Sequence, residues 1–406
     1  MNPGHVKQRL QALQSRHLHR FRRTVVKRDG ASVTLDDGHK GEKTLLAFCS
    51  NDYLGLADDG RLRRALSQGA QRYGAGAGAS HLISGHMVAH AELETRLAQM
   101  LTAHIPQAQA LFFCTGYMAN LAIISGLALL DDDTEIFSEC LNHASLIDGM
   151  RLARAPIQVF AHNDVQALRA QLQASTAANK IVVTDSVFSM DGAVAKLPEL
   201  LALCQQFDAW LVVDDAHGFG VLGGQGAGVL AHFGLRDERL IYMGTLGKAA
   251  GLAGAFVCAH EDVVNWLVQK SRPYIYTTAA APALAHALLC SLDIVTGQDG
   301  QQRREQLASN IAALRQRLRA VLRPNRWHLL DSDTAIQPLV IGDNGQALHV
   351  AEQLFKQGIW VPAIRPPTVP VGTARLRIAL SAAHTHAQID TLVAAIANLQ
   401  AQDSQP

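Results

Sequence analysis

The chain has 406 residues, 48% hydrophobic and 17% charged, which excludes a disordered polymer and provides a large core over two or three domains. Lys and Arg number 36 against 35 Asp and Glu, and a net charge of +1 gives no overall pull toward nucleic acid or membrane. None of the six cysteines forms a C-x-x-C pair or stands at zinc-ligand spacing from a His, which argues against a structural metal site, and nothing resembles a secretory signal, so a cytoplasmic chain with free thiols is expected.

The first 28 residues hold eight Lys or Arg and no acid. An Arg-rich, acid-poor start suits a transit peptide, but Ser is scarce. One reading is an amphipathic arm with Val6, Leu10 and Leu13 on one face, and the other is a basic surface near a site for an anionic substrate. Two uncharged runs, 110–130 and 273–292, are long enough to span a membrane. Thr115, Asn120 and Ser125 in the first and Pro273, Pro282 and His286 in the second favour buried segments of a core instead.

From residue 108 to 260, β-rich runs at 111–114, 135–138, 157–161, 181–187, 210–214, 240–244 and 254–259 alternate with several helical stretches. Asn163 is read as the N-cap of a helix through Leu172, and Pro198 as a first-turn residue of a helix through Phe207. The alternation predicts an α/β fold, a mostly parallel seven-stranded sheet between helices. Beyond residue 300 a long helix, 302–322, carries Leu307, Ile311, Leu314, Leu318 and Leu322 on one stripe. A strand (335–341), a helix (346–357), a strand (360–364), a Pro-rich turn, a strand (374–381) and a helix (385–399) follow. The expected division is an N-terminal arm and segment, 1–57, a large domain, 58–298, and a smaller α+β domain, 299–406.

Three glycine-rich stretches imitate nucleotide sites. Residues 218–223 fit G-x-G-x-x-G after a strand, the pattern of a nicotinamide-dependent oxidoreductase, but Gly224, Gly226 and Gly228 follow where a helix should begin. Residues 74–79 follow a helix rather than a strand. Gly247-Lys248 has Ala249 where a phosphate-binding loop needs Ser or Thr.

A different constellation carries more weight. Lys248 follows the strand 240–244 at the edge where open α/β sheets bind ligands, and a lysine there can form a Schiff base. Asp214 ends an apolar strand, so its carboxylate is held at the sheet edge, where it can keep a pyridine nitrogen protonated. Asp215 beside it leaves the choice between the two acids open. Thr115-Gly116-Tyr117 opens an apolar helix after a strand, a phosphate-binding start. Tyr117 and His143 can stack on a planar cofactor, and Ser189 and His217 can hydrogen-bond it. The order of phosphate loop, aromatic, Asp and Lys resembles fold-type I pyridoxal-phosphate enzymes.

The segments 48–56 (Phe-Cys-Ser-Asn-Asp-Tyr-Leu-Gly-Leu), 213–218 (Val-Asp-Asp-Ala-His-Gly) and 245–248 (Thr-Leu-Gly-Lys) resemble the α-oxoamine synthases, which condense an amino acid with an acyl thioester and release carbon dioxide. The resemblance runs from about residue 20 to 400. The blocks 335–344 and 364–377, with Arg365-Pro366-Pro367-Thr368, resemble the branch that takes L-alanine and a pimeloyl thioester in biotin synthesis. Another member, such as a glycine C-acetyltransferase, is the alternative.

The resemblance implies pyridoxal 5'-phosphate as cofactor, with Lys248 holding it covalently and moving the α-proton, Asp214 on the pyridine nitrogen and His143 stacked on the ring. It places His217 and Ser189 at the ring oxygen, and Thr245 with Thr115, Gly116 and Tyr117 at the phosphate. Thr277 or Thr278 would reach the cofactor of a partner subunit in a homodimer whose active sites lie at the subunit interface. Arg377 would bind the amino-acid carboxylate, Asn51 and Arg22 (or Arg23, one register away) would lie near substrate, and Thr368 would line the acyl site. The acyl donor would be pimeloyl-CoA or pimeloyl-acyl carrier protein, with no nucleic-acid or membrane partner. His81 departs from the family, where many relatives have Arg, and so does His86, where an aromatic or polar residue is usual. Both could change acyl-chain handling.

Overall fold

The structure is a computed structural model that describes residues 3–16, 18–36, 38, 41–323 and 326–402. By contacts the chain forms two compact units, Asp52–Ser189 with Ala193–Glu305, and Met1–Asn51 with Met190–Gly192 and Gln306–Pro406.

The first unit is built on a seven-stranded sheet in the order Ala108–Phe113, Ala255–His260, Leu240–Thr245, Ala209–Asp214, Asn179–Asp185, Thr134–Glu139, Ile157–Phe160. All seven strands read from the sequence are present. Their apolar runs are continuous because both faces are covered. Phe112, Phe137, Val182, Leu211, Val213, Tyr242 and Phe256 feed one buried cluster. Their chain neighbours Leu111, Ile136, Ile181, Val183, Val212, Ile241 and Val257 feed a second. That is the two-residue alternation of a strand with apolar side chains on both sides. Each fully buried side chain contributes about 1.5–3 kcal/mol.

Ala255–His260 runs antiparallel to both neighbours, against the parallel remainder. The connection 246–254 is shorter than the dozen or more residues a parallel crossover requires, so the strand returns antiparallel. The remaining strands point the same way and deliver Phe113, Asp185, Asp214 and Thr245 to one edge.

The two uncharged runs each divide into shorter elements. The first is a strand followed by the helix Gly116–Leu127, and the second holds the short helix Arg272–Ile275 and the helix Pro282–Thr296. Among the described residues no helix is long and apolar enough to cross a membrane. Pro198 sits in the first turn of Leu197–Phe207, as read. The Asn163 cap is corrected. The helix Val165–Ala174 is capped by Asp164, whose carboxylate accepts the amides of Gln166 and Ala167. Asn163 has φ 53° and turns its side-chain amide to the carbonyl of Val194 at 3.2 Å. Asp164→Ala is therefore expected to cost about 1 kcal/mol, read as a lower urea midpoint, while Asp164→Ser retains most of the stability.

The second unit has two four-stranded sheets. One joins Thr24–Asp29, Ser32–Asp36 and Glu42–Ala47 antiparallel and adds Ile359–Trp360 in parallel to the last. The other is antiparallel, in the order His328–Leu329, Ile336–Gly342, Ala374–Ala379, Ala363–Ile364. The single strand read at 360–364 is thus two short strands in different sheets. Pro362 stands between them and has no N–H to continue a ladder. The amphipathic arm is the helix Pro3–Ser15, but Val6, Leu10 and Leu13 on it are exposed. The long helix is Gln298–Val321, with Leu307, Ile311, Leu314 and Leu318 of its stripe buried.

Candidate active site

Three parallel strands end in the acids and hydroxyl that make the centre of the first unit. Asp185 and Asp214 are register partners at the ends of adjacent strands, and Thr245 ends the next. Asp214 is buried, with Oδ2 accepting from Asn120 Nδ2 at 2.7 Å and Oδ1 from the Ala216 amide at 2.9 Å. Asn120 also donates to Ser145 Oγ at 2.8 Å. Ser145 in turn lies 2.7 Å from His143 Nδ1, and His143 caps the helix Ala144–Ala153. One chain of side chains therefore links Asp214 to the ring of His143. Burial keeps the His143 imidazole neutral by lowering its pKa, against the pull of Asp214.

Asp215 has another task. Its carboxylate accepts from Ser186 Oγ, from Tyr242 OH at 2.6 Å and from the Val229 amide at 2.8 Å. Burial pushes its carboxyl up to about 7 in spite of these bonds. A Cβ at Gly218 or Gly228 would collide with this carboxylate. The glycine-rich run 218–228 therefore wraps a buried acid. No α-helix opens at its glycines: a single 3-10 turn, Gly224–Gly226, follows the G-x-G-x-x-G pattern and the five-residue helix Val229–Phe233 begins only beyond the run, so the long helix of a dinucleotide site does not start there.

Lys248 lies in the turn after Leu240–Thr245, with Nζ 2.8 Å from His217 Nε2. The other ring nitrogen of His217 is 2.6 Å from Tyr53 OH. Tyr53 and His217 thus fix the position of the lysine amine. Thr115 caps the helix Gly116–Leu127, accepting the Met118 amide at 3.2 Å, so the first-turn N–H groups of this helix open beside the end of Ala108–Phe113. Tyr117 is exposed and donates its hydroxyl to Asp148. Thr245 Oγ1 bonds the Gly254 carbonyl at 3.2 Å, and Ser189 lies in the turn beyond Asn179–Asp185. Thr277 is half-buried and Thr278 exposed, the latter with its carbonyl 3.7 Å from Cys114 Sγ.

Four members of this cluster have no role in the sequence reading, namely Tyr53, Asn120, Ser145 and Asp185. Asn120 was detectable as a polar residue in an apolar helix, and Asp185 as a second acid ending a β-rich run. Asp185 is fully buried and accepts the His143 amide at 2.8 Å. Burial, reinforced by the neighbouring Asp214, holds its carboxyl well above the usual range.

In the second unit Arg377 is buried on Ala374–Ala379 and donates from Nη2 to Asn51 Oδ1 at 3.2 Å. Arg22 and Arg23 are both exposed, and Arg23 lies over the rings of Phe21 at 4.6 Å and Phe355 at 4.5 Å. Thr368 is exposed in the Pro-rich turn, its amide bonded to the Arg365 carbonyl.

The residues present suit pyridoxal phosphate. A lysine amine, a strand-end carboxylate, an imidazole and a helix start are the donor set its aldehyde, pyridine nitrogen, ring and phosphate require. Asn120 Oδ1, beside Asp214, is buried without a hydrogen-bond partner, an unsatisfied acceptor in the middle of this set.

The comparisons agree with this chemistry. The profile of the class I and II aminotransferases matches residues 43–396. An 8-amino-7-oxononanoate synthase from Janthinobacterium sp. (strain Marseille) is 60% identical over 98% of both chains. One from Bordetella petrii is 57% identical over 96% of both. Among solved structures, a serine palmitoyltransferase from S. paucimobilis with bound PLP superposes with a TM-score of 0.88 at 28% identity, over 98% of this chain and 97% of that one. An 8-amino-7-oxononanoate synthase from Francisella tularensis gives 0.74 at 30% identity, over 89% and 99%. The chain therefore belongs to the class I and II aminotransferase family, as a pyridoxal-phosphate-dependent acyltransferase of the 8-amino-7-oxononanoate synthase group.

Proposed function

We propose that this protein condenses L-alanine with a pimeloyl thioester to give 8-amino-7-oxononanoate, carbon dioxide and the freed thiol carrier, a step of biotin biosynthesis. The observation that carries this reading is the identity of 60% over nearly the whole chain to a protein of that name. The high TM-score to a serine palmitoyltransferase reports a fold shared by enzymes with different substrates, so it does not compete with that identity.

When bound, pyridoxal phosphate supplies a cationic ring that stabilises negative charge on the amino-acid Cα. The chain's own residues set up the rest. Asp214, fixed by Asn120 and Ala216, places its negative charge against the pyridine nitrogen. Asp185 holds the His143 amide, and so the ring that would stack on the cofactor. Lys248 Nζ takes the α-proton of alanine and later returns a proton to the same carbon, with His217 and Tyr53 keeping the amine in place. Thr115, Gly116, Tyr117 and Thr245 hold the phosphate, and Ser189 with His217 the ring oxygen. Arg377, oriented by Asn51, binds the alanine carboxylate as a charge-assisted pair. Arg22 is assigned to the substrate because Arg23 is engaged by aromatic rings. Thr368 lines the acyl site. The enzyme works in the cytoplasm as a homodimer, with Thr277 or Thr278 at the partner's cofactor phosphate; in the chain, residues 58–298 are the cofactor domain, preceded by the N-terminal segment 1–57 and followed by the small domain 299–406.

Mass spectrometry of the products from L-alanine with pimeloyl-CoA, run beside glycine with acetyl-CoA, tests the assignment. The first pair is expected to give the amino-oxononanoate and the second little product. The reverse preference would move the chain to a glycine-using sister enzyme.

A further inference from the structure

Away from the centre just described, three histidines meet on the first unit. His81 opens a single π-helical turn, His81–Gly85, and His86 follows it. His90 lies in the first turn of the helix Val88–Leu101. One ring nitrogen from each falls within 4.8 Å of the other two. We propose that His81, His86 and His90 bind one divalent transition-metal ion, with zinc the best-suited.

The geometry of the ring nitrogens carries this. His81 Nδ1 and His86 Nδ1 face each other at 3.0 Å, so one of them must present a lone pair to the other. Two imidazole nitrogens on a tetrahedral zinc with bonds of about 2.0–2.1 Å lie only slightly further apart, at about 3.3 Å, so a cation can replace the proton between them with a small opening. His90 sets its own tautomer. Its Nε2 lies 2.9 Å from the Ala280 carbonyl, which can only accept, so Nε2 carries the proton and Nδ1 the lone pair. That lone pair now takes the Met87 amide at 3.0 Å, a bond it exchanges for the metal.

The surroundings supply what metal-binding imidazoles use. Glu94 Oε2 stands 3.7 Å from His86 Nε2, the outer nitrogen, and the other oxygen of that half-buried carboxyl group is anchored by the Phe112 amide at 2.8 Å. A carboxylate behind one imidazole and a carbonyl behind another are the outer partners that orient such ligands. The His81 ring is stacked on Tyr274 at 4.9 Å, which limits its pivot, while half-exposed His86 is the ring free to swing toward the other two. Three neutral imidazoles with an opening on the His86 side suit zinc, with water as fourth ligand. Such an ion would clamp the π-helical turn to the start of Val88–Leu101.

The test uses the full-length, tag-free holoenzyme, stripped with a chelator and titrated with zinc, and with cobalt as a visible-absorbing substitute. The expected result is one ion per chain, a tetrahedral-type cobalt spectrum and a higher melting temperature. His86→Tyr and His81→Gln should each lower affinity at least about 100-fold, and Glu94→Gln about 10–100-fold. His86→Tyr is the variant least prone to misfold, because the side chain is half-exposed, and retained cofactor absorbance certifies its fold. Less than one ion per chain, or zinc affinity unchanged in folded His86→Tyr, overturns the site.

Discussion

Replacing Lys248 by alanine is expected to lower product formation from alanine and pimeloyl thioester by more than about 10⁴-fold. The amine at this position both carries the cofactor and moves the α-proton, and positioned proton transfer alone accounts for about 10²–10⁴-fold. Cofactor binding is expected to persist, because Asp214, His143 and the Thr115–Tyr117 turn are untouched. The two effects separate in one experiment. Borohydride treatment followed by unfolding should leave one cofactor per chain on the parent and none on Lys248→Ala, while gel filtration before unfolding retains cofactor on both. Near-normal turnover in the variant would remove Lys248 from its role. Tyr53 and His217 both fix the amine, so loss of either should leave more activity than loss of the lysine.

The second large effect is expected at Asp214 and distinguishes it from its neighbour. Asp214→Asn keeps the size of the side chain but removes the negative charge opposite the pyridine nitrogen. A neighbouring opposite charge shifts a titrating group by about 1–3 pKa units, so turnover and exchange of the alanine α-proton should fall by about 10–1,000-fold. Thermal stability should change little. Asp215→Asn is expected to do the reverse. The Ser186 and Tyr242 hydroxyls and the Val229 amide converge on the Asp215 carboxylate, and an amide cannot accept all three at both ends. The variant should lose about 1–3 kcal/mol of stability, read from the urea midpoint, and retain most of its α-proton exchange. Unchanged exchange in Asp214→Asn, or arrested exchange in a stable Asp215→Asn, would exchange the two assignments.

The contrast between the two acids shows where the sequence stopped being informative. Both follow the same apolar strand, and residue type and spacing are the same for either. Only the contacts separate them. Asp215 turns into a fully donor-lined niche closed by glycines, while Asp214 turns to Asn120 at the sheet edge. Asp185 was harder to find for a similar reason. Its importance comes from lying beside Asp214 in the register of two strands that are distant in the chain. Asn163 and Asp164 repeat the lesson locally. Both are good capping residues, and the left-handed φ of Asn163 gives the cap to Asp164.

The sequence by itself determined the sheet, the helices that alternate with it and the chemistry. Continuous apolar runs specify strands buried on both faces, and an acid or lysine just beyond such a run is held at the strand's end whatever surrounds it. The motifs around Asn51, Asp214 and Lys248 carried the family. Tertiary structure decided what depends on distant partners. It set the direction of Ala255–His260, through the short return from Thr245. It divided 359–364 between two sheets at Pro362, and it built the links from Tyr53 through His217 to Lys248 and from Asp214 through Asn120 and Ser145 to His143. The cluster of His81, His86 and His90 is local by contrast, spanning ten residues across the π-helical turn and the first turn of the next helix. Local patterning records which face of an element is apolar. Which distant polar groups find one another is set by packing between elements, and no local spacing encodes it.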